Sequence, residues 1–558
     1  MFSEACLSRD AKSDMHRNVA DYHPNIWGDY YLIRYASESM ELDQNTMVQI
    51  EPLKNNVRKM LVSKTEEPLT KVHLIDLICR LGLSYHFENE IEEILQRIHK
   101  NYVENGEIIT FEDNLNSLAV LFRLLRQHGL HVSPNVFNKF KDENGNFSEK
   151  LIENVEGMLS LYEATHIMCH GEKVLEEALV FTTTHLECIA NQLNHSHAIQ
   201  VKHSLRQPLH KNIPRLEARN YISFYEQDPS HDKNLLILAK LDFNILQRLH
   251  QNEFGNVCKW WKELDVPNKL PFVRDKIVET CIWGLAVYFE PQYSAARIFL
   301  AKLVAIMTVL DDVYDAYGTI DELELFTNAI ERWNISCLDN LPDYMQLPYK
   351  MVLDLSQEIE QKLTRDGRVY ALNYYVKEFQ KYIQGYFTEA RWMNNKYQPT
   401  LEEYIRLTID SGGYKHMIIV CYIDMGEIVT ENMLKWITND PKICNAAMVL
   451  ARIMDDIASN EFEQKREHVS SFLECYMSKY NVSREAAIQG GRNIIADAWK
   501  DMNEECLRST EVPMPFLTPM INLSRFMDVV YKDKDNFTNS KGKMKSFIKA
   551  LLVEPVEV

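Results

Sequence analysis

The sequence has little of the residues that punctuate a chain. Only 18 glycines and 18 prolines occur in 558 residues. That is too few to turn the many short strands of a sandwich or barrel, so long helices are expected. Positive charge is also short, with 61 Lys and Arg against 80 Asp and Glu and a formal charge of −19. This balance excludes a non-specific nucleic-acid surface, which needs a basic face. An anionic ligand would have to be met by a metal ion or by a few placed arginines. The 11 cysteines include no CxxC pair, so they read as free thiols. The His166-x-x-Cys169-His170 cluster has no second ligand pair nearby in sequence and reads as structural. No apolar run reads as a membrane span. The first residues, MFSEACLSRDAKSDMHRN, mix acids and bases without the apolar centre of a signal peptide.

What is present is helical periodicity. Leu118, Leu121, Phe122 and Leu125 mark one apolar face in NSLAVLFRLLRQHG, closed by Gly129. Similar runs follow at 150–164 and 172–190. The polar stretch 204–232 carries Pro208, Pro214 and Pro229 and reads as a connection, with a domain boundary near residue 230. After it comes a helix expected to start at Ser294 as N-cap and to run to about Tyr317, where Gly318 stops it. Over AKLVAIMTVL it is apolar nearly all round, the pattern of a buried central helix. No run alternates as a strand does, and the fold class is read as all-α.

That apolar helix ends in Asp311-Asp312-Val313-Tyr314-Asp315. Helical spacing puts Asp311 and Asp315 on one face, with Asp312 beside Asp315. Like charges there repel each other and also face the negative end of the helix dipole, so a cation is expected, and clustered carboxylates suit Mg²⁺. A second apolar stretch, AAMVLARIMDDIASNEFE at 446–463, places Asp455, Ser459 and Glu463 at i, i+4 and i+8. Arg452 precedes them by three residues. Two carboxylates with a hydroxyl between them form a second oxygen-rich set for a hard metal. Two such helices read as facing walls of one cavity, with metals across its mouth and a bridging diphosphate as leaving group.

These two clusters, with AYGTIDEL after the first, resemble the plant terpene synthases, and in particular their sesquiterpene cyclase branch. The likeness runs almost end to end, through Arg17-Asn18-x8-Trp27 in HPNIWGD, FRLLRQHG, WWKELD at 260–265 and YFEPQYS at 288–294. The resemblance implies two helical domains. These are a relic N-terminal α-barrel over 31–230 and a catalytic helical bundle over 231–558, capped by residues 1–30. It implies Mg²⁺, in three ions with Mn²⁺ able to substitute. Asp311, Asp315, Asp455, Ser459 and Glu463 are implied as metal ligands, with Asp312 behind them. Arg274 and Arg452 are implied to hold diphosphate, and Asp311, Asp315 and Asp455 to meet it through metal. Trp283, Tyr531 and Phe537 are implied as aromatic faces toward a carbocation. Trp283 lies nine residues past Arg274 on what reads as the same helix.

Ser411-Gly412-Gly413 is expected to break a helix at the cavity, and KDKDNFTNS at 532–540 to form a mobile lid. Two positions depart from the family pattern. Arg274-Asp275-Lys276 stands where Arg-x-Arg is usual, and lysine lacks the planar fork that grips phosphate. Phe537 stands where relatives often have tyrosine. No Asp-x-Asp-Asp motif occurs, so a protonation-started cyclisation is not expected. A chain-elongating prenyltransferase would need a second DDxxD in place of DDxxSxxxE, and a non-enzymatic scaffold would show no convergence of Arg274, the two acidic clusters and Arg452 and would bind no Mg²⁺ with diphosphate. The acids Glu4, Asp10 and Asp14 ahead of Trp27 are unlike a plastid leader. A cytoplasmic enzyme acting on farnesyl diphosphate is therefore expected over one taking the ten- or twenty-carbon substrate. No obligatory protein partner is expected.

Overall fold

The structure is a computed structural model that describes residues 25–28, 32–36, 44–63, 67–105, 114–192, 195–463, 469–507 and 512–558. The segment 1–24, and with it Arg17 and Asn18, lies outside the described residues. Helices account for every regular element among the described residues, save one isolated bridge between Lys141 and Phe147.

The N-terminal half runs through helices from Gln44–Val62 to Pro214–Gln227. Leu115–Gln127 shows how local sequence sets an element. Asn114 caps it by accepting the Ser117 N–H, and the stretch Ser117–Arg126 is buried throughout. The stretch expected as a connection is itself mostly helix. Pro214 takes the first position of Pro214–Gln227, where its missing N–H has no intrahelical partner to lose. Residues 228–232 join this helix to the next, Lys233–Leu264, and end at Asp232, whose side chain accepts the Leu235 N–H.

Seven elements of the C-terminal half position the site: α1 (Lys233–Leu264), α2 (Ile277–Val287), α3 (Ser294–Asp312), α4 (Tyr370–Asn394), α5 (Leu401–Ser411), α6 (Tyr414–Cys421) and α7 (Lys442–Glu463). An eighth, α8 (Met514–Tyr531), closes the wall. Every residue of α2 is buried, which accounts for its unbroken apolar run. Gly284 lets α2 meet α3 backbone to backbone, since a Cβ there would sit 2.6 Å from the Arg297 carbonyl oxygen.

The start and end of α3 differ from the sequence expectation. Ser294 is the first helical residue and does not cap. Asp424, distant in sequence, accepts the N–H groups of Ala295 and Ala296 at 2.8 and 3.3 Å. At the other end Val313–Tyr317 is a π turn, closed by the Gly318 N–H on the Val313 carbonyl at 2.8 Å. A widened turn changes where Asp315 points relative to Asp311.

Contrary to the sequence reading, Pro291–Tyr317 is long and apolar enough to cross a membrane, with mean hydropathy 1.6, but 72% of that window is buried inside the protein. Its apolarity serves the core. Within it Arg297 is fully buried and held by Glu253 of α1 at 2.8 and 2.7 Å, a fork-to-fork pair that satisfies a charge removed from water.

One apolar core continues from the N-terminal helices into α2, α3 and α8. Polar ties reinforce the join. Arg525 donates to the His210 carbonyl at 2.8 Å, the His210 ring donates to Asn503 at 2.8 Å, and Gln207 donates to Asp528 at 3.0 Å. The ten cysteines among the described residues are all free. Within the His166–His170 cluster, His170 pairs with Asp501 at 2.8 Å.

Candidate active site

The ends of α3 and α7 meet across a cavity of about 190 Å³. Asp311 and Asp315 line it from one wall, and Arg452, Asp455 and Ser459 from the other. The two acidic clusters therefore converge, and Arg274 joins them at the same mouth.

Asp311 and Asp312 divide their work. Asp312 is fully buried, and its carboxylate accepts the Arg274 backbone N–H at 2.7 Å while Arg274 Nε lies 3.0 Å away. Asp311 is partly exposed to the cavity, accepts the Tyr386 hydroxyl at 2.5 Å and pairs with the Arg274 guanidinium. Arg274 stands before α2, in the segment leading into it, and is not on the same helix as Trp283. The loop position lets it reach both aspartates.

Arg452 is set in the same manner on the opposite wall. Asp456 lies 3.0 Å from its Nε, and the Tyr404 hydroxyl accepts from that nitrogen at 2.9 Å. Asp456 is itself fixed by the Tyr404 hydroxyl at 2.6 Å and the Phe472 N–H at 2.9 Å. It stays behind the wall, leaving Asp455 toward the cavity. Glu463 closes α7, but its side chain lies outside the described residues.

Sequence reasoning missed Glu389 and Tyr386, both on α4 and both lining the cavity. Glu389 accepts the Ser411 hydroxyl at 2.6 Å and lies 3.9 Å from Arg452. Burial raises its carboxyl above the usual range, and Arg452 opposes that shift. The Tyr386 phenol is pushed up by burial and then by the Asp311 charge, so it stays a hydrogen-bond donor. The available signal was a carboxylate at i+7 from Tyr382 and i+3 from Tyr386, on the buried face of an amphipathic helix.

The deeper walls are apolar and aromatic. Trp283 lines the cavity, with Phe526 at 4.5 Å and Phe537 at 6.2 Å between ring centroids. Its indole nitrogen is buried without a hydrogen-bond partner, so ring contacts alone set its orientation. Tyr531, at the end of α8, also faces the cavity, and burial followed by the Asp455 charge pushes its phenol well up. Gly413 breaks α5 from α6 at φ +66°, and a Cβ there would meet Met307 Cε at 2.2 Å. Only glycine suits both the backbone angle and the space.

The residues present fit a hard divalent cation. Asp311, Asp315, Asp455 and Ser459 offer oxygen donors, and the Ser459 hydroxyl is buried with no hydrogen-bond partner. Among the described residues no three His, Cys, Asp or Glu side chains already form a closed chelate. Split walls of this kind suit Mg²⁺, which keeps waters and takes further ligands from phosphates.

Similarity to known proteins extends over nearly the whole chain. The family model described as "Terpene synthase family, metal binding domain" matches residues 262–501, and "Terpene synthase, N-terminal domain" matches 26–205. The chain is 45% identical over 552 residues to (-)-germacrene D synthase of Vitis vinifera, covering 99% of this chain and 98% of that one. It is 46% identical over 554 residues to sesquiterpene synthase 2 of Toona sinensis, covering 99% and 98%. Among solved structures it is similar to isoprene synthase from grey poplar (Populus x canescens) in complex with three Mg²⁺ ions and dimethylallyl-S-thiolodiphosphate. That match has TM-score 0.86 and 32% identity, and covers 96% of this chain and 99% of that one.

Proposed function

The chain belongs to the terpene synthase family, and from that premise we propose that it is a sesquiterpene synthase. It takes farnesyl diphosphate, releases diphosphate and closes the carbocation to a fifteen-carbon product. A divalent metal ion is its cofactor, and we read it as Mg²⁺, in three ions. The carrying observation is the convergence of Asp311, Asp315, Asp455 and Ser459 with Arg274 and Arg452 at the mouth of one cavity.

Asp311, Asp315, Asp455 and Ser459 would hold the metal, with Glu463 as the remaining candidate from α7. When bound, Mg²⁺ supplies Lewis acidity toward the leaving group. Arg274 and Arg452 present fixed positive charge to diphosphate oxygens from opposite walls, and Asp312 and Asp456 keep both guanidinium groups aimed. Trp283, Tyr531 and Phe537 give the carbocation faces that attract positive charge without attacking it. The buried walls keep water from it.

The test is incubation with Mg²⁺ and each of geranyl, farnesyl and geranylgeranyl diphosphate, with products identified by gas chromatography. Farnesyl diphosphate is expected to have the highest kcat/KM and to give fifteen-carbon hydrocarbons. A preference for either other substrate would overturn the chain length, and no diphosphate release from any of the three would overturn the activity.

A further inference from the structure

In Arg274-Asp275-Lys276 the two cations have different surroundings. Arg274 lines the cavity and touches Asp311. Lys276 is not part of the cavity wall, and its side chain is only 3% exposed. Its ammonium donates to the Thr538 carbonyl at 2.8 Å, with the Ser540 hydroxyl at 3.5 Å and Glu279 at 3.8 Å. Thr538, in contrast, does line the cavity, together with Asp535 and Phe537 of the same segment.

This segment, 532–542, is a strap between α8 and Lys543–Leu552. Internally it is set by Asp535, whose carboxylate accepts the N–H groups of Phe537 and Thr538 at 2.9 and 2.8 Å. Lifting it would cost the Lys276 ammonium its contacts with the Thr538 carbonyl and the Ser540 hydroxyl. The interaction is therefore one that resists opening.

We propose that Lys276 is a positioning residue that latches the 532–542 strap over the cavity and does not itself bind diphosphate. The inference rests on the terpene synthase reading for what the strap protects, a carbocation that water would capture as an alcohol. Its geometry stands apart from that reading. A compact ammonium suits a carbonyl and a hydroxyl in a closed space, where the planar guanidinium of arginine would demand more room and a different set of acceptors.

Two measurements test this on the full chain. The first is limited trypsin digestion without substrate, following cleavage at Lys532, Lys534 and Lys541. Lys276→Met is expected to speed strap cleavage roughly tenfold, since protection scales with the opening equilibrium. Ser540→Ala, which removes only the longer contact, is expected to shift it in the same direction by less. The second is turnover of farnesyl diphosphate with Mg²⁺. Lys276→Met is expected to raise the alcohol-to-hydrocarbon ratio several-fold while inhibition by inorganic diphosphate stays unchanged. Unchanged cleavage in both variants would overturn the latch. So would an unchanged alcohol fraction with inhibition by diphosphate weakened tenfold, which would make Lys276 a diphosphate ligand. If wild type makes no terpenoid yet Lys276→Met opens the strap, the latch stands and the activity reading fails. Ser540→Ala keeps the test open should Lys276→Met fold poorly, as judged by its circular dichroism and thermal midpoint.

Discussion

Arg274 and Asp312 are joined through both the backbone and the side chain of the arginine: its N–H donates to Asp312 Oδ2 at 2.7 Å, and its Nε lies 3.0 Å from Oδ1. One buried carboxylate thus fixes where the loop before α2 sits and where its guanidinium points. Asp312→Ala is expected to lower kcat/KM on the order of 10²–10³-fold, the usual loss when a preorganised charge is released. Asp312→Asn should retain more, because its amide oxygen still accepts the backbone N–H. Steady-state kinetics together with inhibition by inorganic diphosphate distinguishes the two, and equal loss in both variants would contradict the positioning role.

Asp311→Ala and Asp455→Ala each remove an oxygen donor from one wall and are expected to abolish nearly all turnover. Ser459→Ala should act mainly through metal, raising the Mg²⁺ concentration for half-maximal rate several-fold with kcat largely kept. Mg²⁺ titrations of the three variants check this. Near wild-type activity in either aspartate variant would mean that the walls do not act together.

Gly413→Ala combines two penalties. The φ of +66° strains any side chain, and the new methyl would meet Met307 Cε. A loss of roughly 1–3 kcal/mol in stability is expected from the backbone alone, read by denaturant unfolding. In a double-mutant cycle with Met307→Ala, the double variant should lose less than the sum of the two single losses, the difference being the steric part. Strictly additive losses would show that the contact with Met307 does not matter.

His210 lies at the join between the halves, and burial depresses its imidazole to about 3, so it is neutral in the fold. The unfolded chain takes up a proton near pH 6.5, where the folded chain does not. Stability is therefore complete above about pH 6.5, falls as pH drops below it, and stops falling near pH 3. At pH 5.5 this one group costs about 1.4 kcal/mol. His210→Gln should flatten the fall in thermal midpoint between pH 7 and 5, and an unchanged slope would assign it to other groups.

The helical class was legible because α3 is apolar nearly all round, and α7 too carries a long apolar run before it ends in acids. Both acidic ends do reach one cavity. The rest depended on contacts far apart in the chain. Asp424 caps α3 across 129 residues, and no local pattern marks that. No local pattern marks the π turn carrying Asp315 either, and Arg274 read as helical because the nine residues before Trp283 carry no break signal. Glu389 was hidden because one acid on a charged helix looks solvated until its neighbours are known. Residues 204–227 misled because Pro214 opens a helix as readily as it ends one.

The backbone contact at Gly284 and Arg297 has a bearing on how related chains diverge. Trp283 rides on α2 and Asp311 on α3, and at Gly284 these helices touch with no side chain between them. That close approach fixes the spacing of the two helices between the aromatic face and the acidic mouth. Variation in product must then come from walls that yield. Met307, Met417, Met448 and Met527 stand on α3, α6, α7 and α8 around the same cavity, and their unbranched thioethers can refold into new contours at small energetic cost. A lineage of such enzymes can hold its ionisation chemistry fixed while the shape in which the chain closes drifts.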